Sequence, residues 1–147
     1  MSLLKNIHRM NNAELIGLAK NRFLSTEVQE AIAKHPYRRA KSYLAENEGI
    51  SQSAKDILWD IPGYTLKTDL IRTGKYVESP ERYHELYDNY AQTMASRGSW
   101  WRLQGAFLGY GYHYSNNGQG SIFCPSEILE KLYNEKVIYN YSNIFFY

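Results

Sequence analysis

The octapeptide "LAKNRFLS" (residues 18–25) returns 26 residues later as "LAENEGIS" (residues 44–51). A weaker third copy begins at the same spacing with "LIRTG" (residues 70–74), and its serine, Ser79, arrives two residues late. A fixed period of this length is typical of repeat proteins, in which each unit buries its apolar face against the next. The sequence therefore predicts about three stacked units between residues 11 and 90.

Each copy predicts a hairpin of two short helices. Apolar residues at helical spacing form the first helix in three sets: Leu15, Leu18 and Ala19; Ala40, Tyr43 and Leu44; Leu66, Leu70 and Ile71. Residue types that often end a helix in the left-handed conformation follow these sets: Asn21, Asn47 and Gly74. A serine suited to the N-cap of the second helix comes next: Ser25, Ser51 and Ser79. Pro80 then stands at a first helical position, where proline is favoured.

The segment "AKSYLAENEGISQSAKDILWD" (residues 40–60) resembles a unit of the variant leucine-rich repeats, which are all-helical solenoids similar to HEAT-type hairpin stacks. The matching positions are Ala40-Lys41, Leu44-Ala45, Asn47, Ser51 and Leu58. Residues 15–35 fit the same pattern, and residues 66–88 fit it more loosely. The sequence departs from the family pattern because no proline follows Asn21 or Asn47. The cysteine cluster of some family members is absent too, so no iron–sulfur site is implied. The resemblance implies a binding surface and no catalytic residues.

The C-terminal part of the chain does not follow the repeat. Residues 82–98 predict a helix ended by Gly98, and "EILEKLYNEK" predicts another that begins after Pro125 and turns Ile128, Leu129 and Leu132 inward. Alternating apolar residues make 108–114 and 137–141 strand candidates. We therefore expect a single mainly α domain: a short right-handed stack of about three helical hairpins (11–90), followed by a small mixed α/β aromatic cap (91–147).

Composition restricts the classes of function. The net charge is only +2, although residues 1–75 hold 12 basic and 8 acidic residues, whereas residues 76–147 hold 5 and 7. A single cysteine excludes an internal disulfide and favours a reducing, cytoplasmic location. No apolar run reaches the roughly 18 residues that a membrane helix needs, so no membrane association is expected.

Two sets of residues are candidates for partner binding. The first is basic and would form a stripe along the repeats: Arg38, Arg39, Lys41 and Arg72. Such a stripe could hold nucleic-acid phosphates, or it could be a solvated surface balanced by nearby glutamates. The second set is rich in residue types found at interface hot spots: Trp100, Trp101, Arg102, Tyr112 and Tyr114. The alternative for most of these aromatics is a place in the core, but adjacent Trp100 and Trp101 cannot both face inward.

No catalytic signature is present. Cys124 and His113 are the only thiol and imidazole near each other in the C-terminal region, and nothing around them indicates a nucleophilic site, although Cys124 at a helix N-terminus could have a lowered pKa. The four histidines show no metal-ligand spacing. We therefore expect no metal and no cofactor, and a protein that is not an enzyme.

These observations favour a non-enzymatic helical-repeat protein that binds another protein. The alternative is a nucleic-acid-binding repeat protein that uses the basic stripe. Frequent asparagine and tyrosine also indicate AT-rich coding, which would suit a phage-type host-takeover or anti-defence inhibitor.

Overall fold

The computed structural model describes residues 3–108 and 123–134. Within these residues the regular structure is entirely helical, which confirms the prediction of a mainly α fold. The chain divides into two compact units, Met1–Leu70 and Ile71–Tyr147. No helix in the described part is both long and apolar enough to cross a bilayer. The strand candidates at 108–114 and 137–141 lie outside the described residues, apart from Leu108, the C-cap of a helix.

The first unit contains α1 (Leu3–Asn6), a 3-10 helix (Ile7–Arg9), α2 (Asn12–Ala19), α3 (Thr26–Lys34), α4 (Arg38–Glu46) and α5 (Gln52–Trp59). Helix α6 (Thr65–Arg72) crosses the division between the units. The second unit contains α7 (Pro80–Ser96), α8 (Trp100–Phe107) and α9 (Ser126–Asn134).

The helices of the first unit begin at side chains that cap them. The Ser25 hydroxyl accepts a hydrogen bond from the Val28 amide at 3.4 Å, and the Ser51 hydroxyl accepts one from the Ala54 amide at 3.2 Å. Both serine caps are therefore confirmed. The prediction for Ser79 is wrong in part, because α7 does begin after it, at Pro80, but its side chain makes no capping hydrogen bond. The Arg82 amide, at the third helical position, donates instead to the Ser79 carbonyl oxygen at 2.9 Å.

The core of the first unit comes from the apolar positions that recur with the repeat. Helix α2 packs against α4, and α3 packs against α5. The side chains buried between them include those predicted from helical spacing: Leu15, Ala19, Ile32, Ala40, Leu44 and Leu58. Elements 26 residues apart in the chain are thus neighbours in space.

Helix α6 is buried from Leu66 to Arg72, including the polar residues of that stretch. Lys67 is 5% exposed, and its ammonium donates hydrogen bonds to the carbonyl oxygens of Ile61 and Gly63, at 2.6 and 2.9 Å. The same ammonium lies 5.9 Å from the centre of the Trp59 ring. Lys67 therefore closes the turn that precedes its own helix, because it supplies donors to two carbonyls that follow α5.

In the second unit, α7 packs against both α8 and α9. Tyr87 contacts Phe107 edge to face, with ring centres 6.0 Å apart. Gly98 has a φ of +74°, so the predicted helix end at this glycine is confirmed. Ile128 and Leu132 of α9 are fully buried as expected. The prediction that Leu129 turns inward is wrong, because it is 37% exposed.

Candidate functional site

The turn between α2 and α3 lies directly against the turn between α4 and α5. The Asn47 amide nitrogen donates to the carbonyl oxygens of Ala19 and Asn21, at 2.8 and 2.9 Å, and Asn47 is only 6% exposed. One buried side chain of the second turn therefore satisfies two carbonyls at the start of the first turn. A carbonyl in the last turn of a helix, such as that of Ala19, has no partner within its own helix. We call residues 20–25 and 46–51 together the turn surface.

Both asparagines of the repeat make the same local turn. The Asn21 carboxamide oxygen accepts from the Phe23 amide at 2.8 Å, and that of Asn47 accepts from the Gly49 amide at 2.8 Å. The prediction of a left-handed conformation is wrong for Asn47, whose φ of −71° and ψ of 124° are extended. It is confirmed for Gly74, whose φ is +77°. Asn47 ends its helix with a side-chain hydrogen bond rather than a backbone reversal.

A second polar side chain, that of Gln29 in α3, forms hydrogen bonds to both turns. Its amide nitrogen donates to the carbonyl oxygens of Leu24 and Gly49, at 3.1 and 3.0 Å, and its oxygen accepts from the Ser51 amide at 2.6 Å. Gln29 is 3% exposed. Buried polar groups that are fully hydrogen-bonded make a rigid connection, so Gln29 fixes the two turns of the turn surface to each other.

Gly49 permits the close approach of the two turns. A Cβ atom at this position would lie 2.1 Å from the Arg22 carbonyl oxygen and 2.9 Å from its carbon. Any other residue would force the two backbones apart. At the solvent side of the same contact, the guanidinium of Arg22 forms an ion pair with Glu48, again 26 residues away.

Phe23 projects from this braced turn into solvent. It is 93% exposed, the most exposed of the large apolar side chains in the described part of the chain. Its neighbour Arg22 lines a groove of about 270 Å³ together with Lys20, Tyr43, Glu46, Asn47 and Glu48. The Lys20 ammonium lies 4.5 Å from the centre of the Tyr43 ring, which forms one wall of the groove. An exposed aromatic side chain with polar groups around it makes this turn a candidate interface hot spot.

The predicted basic residues do not form one continuous stripe. Arg38 and Arg39 are exposed and Lys41 is half-buried, all in the first turn of α4. Arg72 is only 8% exposed, so its placement on an exposed basic surface is wrong. Every residue of α6 from Leu66 to Arg72 is buried, so the charge at the end of the helix is enclosed with it.

The predicted aromatic set is described only in part. Trp101 is 36% exposed, and the Arg102 guanidinium lies 4.2 Å from the centre of its ring. The prediction that one tryptophan of the adjacent pair is exposed is therefore confirmed. The Trp100 side chain, Tyr112 and Tyr114 lie outside the described residues.

Cys124 is not an activated thiol. Burial raises its pKa to about 12, and the charge of Glu127 adds to the effect. The expected lowering by the helix N-terminus is therefore wrong. His113, its suggested partner, lies outside the described residues. Within the described part of the chain, no three side chains of metal-binding type come together.

No protein-family model, curated protein or solved structure matches this chain. The resemblance to variant leucine-rich repeats therefore stays a prediction, and function has to be argued from the turn surface itself.

Proposed function

We propose that the chain is a helical-repeat protein that binds a protein partner through the turn surface, with Phe23 as the anchor. The observation that carries the proposal is a phenylalanine that is 93% exposed on a turn held by buried hydrogen bonds. Covering such a side chain contributes about 1.5–3 kcal/mol, which is the range of an interface hot spot.

The turn supports this role because it is ordered before any partner arrives. Asn47 of the next hairpin and Gln29 of α3 hold its backbone, and the Asn21 side chain bonds to the amide of Phe23 itself. A partner therefore pays little conformational entropy to fix the anchor, and more of the burial energy remains as affinity. Around the anchor, Arg22 and Glu48 supply a polar rim that is 63% and 73% exposed at their side chains.

The proposal includes the finer architecture. In our interpretation the α2–α3 and α4–α5 hairpins are successive units of a stack, and α6 with α7 is a third, longer unit. The equivalent hydrogen bonds at Asn21 and Asn47, together with the α2–α4 and α3–α5 contacts, support this reading. Solenoids of this kind bind partners through extended surfaces that successive repeats build. A residue that is not shared by the repeats, such as Phe23, can give such a surface its specificity.

Site-specific photo-crosslinking tests the proposal. A photoreactive phenylalanine analogue placed at position 23 should crosslink a discrete protein in a lysate of the cell that makes the chain. Phe123, which is 50% exposed in the second unit, provides the matched control position. Crosslinks to the same products from both positions, or none from position 23, would contradict the proposal.

A further inference from the structure

A second charged surface lies where α3 ends and α4 begins, at the end of these helices opposite to the turn surface. The 3-10 helix is anchored by Ile7, which is 1% exposed, and it places His8 against His35 at the end of α3. Their rings are 6.2 Å apart and inclined by 20°, a stacked arrangement. The next residues along the chain add cations to this pair. We call the set the histidine edge: His8, Lys34, His35, Arg38, Arg39 and Lys41.

His35 is oriented so that one ring nitrogen remains as a donor. Its Nδ1 accepts a hydrogen bond from the Tyr37 amide at 3.0 Å, so in the neutral ring the proton is on Nε2. His8 is exposed and His35 is half-buried, which leaves the stacked pair within reach of a ligand.

The histidine edge carries an excess of positive charge. Burial lowers the pKa of His35 below 6.5, and the charges of His8 and Lys41 lower it further. Burial also lowers the pKa of Lys41, and Arg38 lowers it further. The charges acting on these two groups are therefore positive, and an approaching anion would relieve the repulsion among them.

Most of the acids near the repeats are too far away to neutralise this edge. Glu46 and Glu48 lie at the turn surface, and Glu48 is paired with Arg22. The nine residues of α3 separate the two ends by about 13 Å at 1.5 Å per residue, which exceeds the Debye length of about 8 Å in physiological salt. On the same edge, Glu14 accepts a hydrogen bond from the Asn11 amide, Asp60 follows α5, and Glu30 precedes Lys34 by one turn of α3. The four permanent cations of the edge outnumber these three carboxylates.

We propose that the histidine edge binds the phosphate groups of a nucleic-acid backbone. Arginines and lysines on one edge match the charge of successive phosphates, and His35 Nε2–H adds a hydrogen-bond donor. The protein-binding turn surface is at the opposite end of the helices, so one chain can hold both ligands. With four phosphate contacts, the logarithm of the affinity for single-stranded DNA falls with log salt at a slope of about −3.

Fluorescence anisotropy with a short labelled single-stranded DNA tests this proposal over about 50–200 mM KCl. The variant Arg38→Gln/Lys41→Gln removes two contacts, so its slope should be shallower by about 1.4 units. The matched control is Arg97→Gln/Lys131→Gln, an equal charge change at exposed residues of the second unit. The control should keep the wild-type slope. No binding at the lowest salt, or equal changes in both variants, would overturn the proposal.

Two further measurements identify the ligand and need no variant. In NMR titrations of the wild-type protein, the oligonucleotide should raise the pKa of His35, because phosphate charge offsets that of His8 and Lys41. An unchanged pKa under saturating DNA would contradict the proposal. Poly-glutamate and inorganic phosphate serve as competitors. Displacement of the DNA by poly-glutamate at equal charge, or by inorganic phosphate alone at equal phosphate concentration, would reject a nucleic-acid backbone as the ligand.

Discussion

Replacing Asn47 by alanine should destabilise the first unit much more than replacing Asn21, its equivalent in the previous repeat. The Asn47 side chain makes three hydrogen bonds to backbone groups, at 2.8, 2.9 and 2.8 Å, from a position that is 6% exposed. The exposed Asn21 side chain makes one such bond, to the amide of Phe23 at 2.8 Å. The two substitutions delete the same atoms. The difference between their effects on the free energy of unfolding therefore measures how much the hydrogen bonds between the two turns stabilise the protein.

The expected magnitudes follow from the hydrogen bonds that are lost. At about 1 kcal/mol net for each bond, Asn47→Ala should lower the free energy of unfolding by about 3 kcal/mol and Asn21→Ala by about 1 kcal/mol. The carbonyl of Ala19 lies at a buried helix end, and Asn47→Ala would leave it without this hydrogen-bond partner. The loss of unfolding free energy for Asn47→Ala should therefore stay near this value. For a chain near 150 residues, 3 kcal/mol corresponds to a fall in Tm of about 6–12 °C.

Urea unfolding followed by far-UV circular dichroism measures both free energies, and thermal melts provide the Tm values. Similar losses for the two variants would show that Asn47 ends its own helix and does not join the turns. A loss below about 1 kcal/mol for Asn47→Ala would refute the reasoning altogether.

The remaining predictions concern Gly49 and Cys124. Gly49→Ala should lower the free energy of unfolding by about 2 kcal/mol or more, because its new Cβ would overlap the Arg22 carbonyl. The Cβ of Gly17→Ala in α2 meets no atom within 4 Å, so this variant should stabilise the helix by about 0.5–1 kcal/mol. Equal stability of these two variants in urea would contradict the close approach. Cys124, with its pKa raised to about 12, should react with iodoacetamide at pH 8 roughly 30-fold more slowly than a free thiol, since its loss of thiolate outweighs its gain in nucleophilicity. Mass spectrometry follows the reaction, and a rate within threefold of N-acetylcysteine would argue against that raised pKa.

The period of the sequence was sufficient to place the helices α2 to α6. Ser25 and Ser51 cap α3 and α5 as the pattern predicts, because an N-cap depends on residues only three positions away. Asn47 shows the limit of local reasoning. The pattern marks it as a helix end but cannot show that its side chain bonds to carbonyls 26 and 28 residues earlier. Tertiary contacts of that kind have no local signature.

The sequence predicted the candidate site less well than the helices, and the physical reasons differ among residues. Phe23 is a single aromatic in a polar turn, so periodicity does not distinguish it from a core residue, and only its exposure marks it. Arg72 shares its repeat position with the exposed Lys20 and Glu46, yet it is only 8% exposed, because burial depends on tertiary packing that a repeat pattern does not encode. The basic residues at the start of α4 were found from sequence, whereas the stacking of His8 on His35 beside them depends on how the N-terminal segment packs.

The most direct test of the protein-binding proposal is the affinity of Phe23→Ser for the partner that crosslinks at position 23, measured beside the unfolding free energy of the same variant. Because the side chain is 93% exposed, unfolding should change by less than about 0.5 kcal/mol. Affinity should fall about 30-fold or more, which corresponds to a hot-spot loss of about 2 kcal/mol. An affinity within twofold of wild type in a fully folded variant would contradict the proposal that Phe23 anchors a partner.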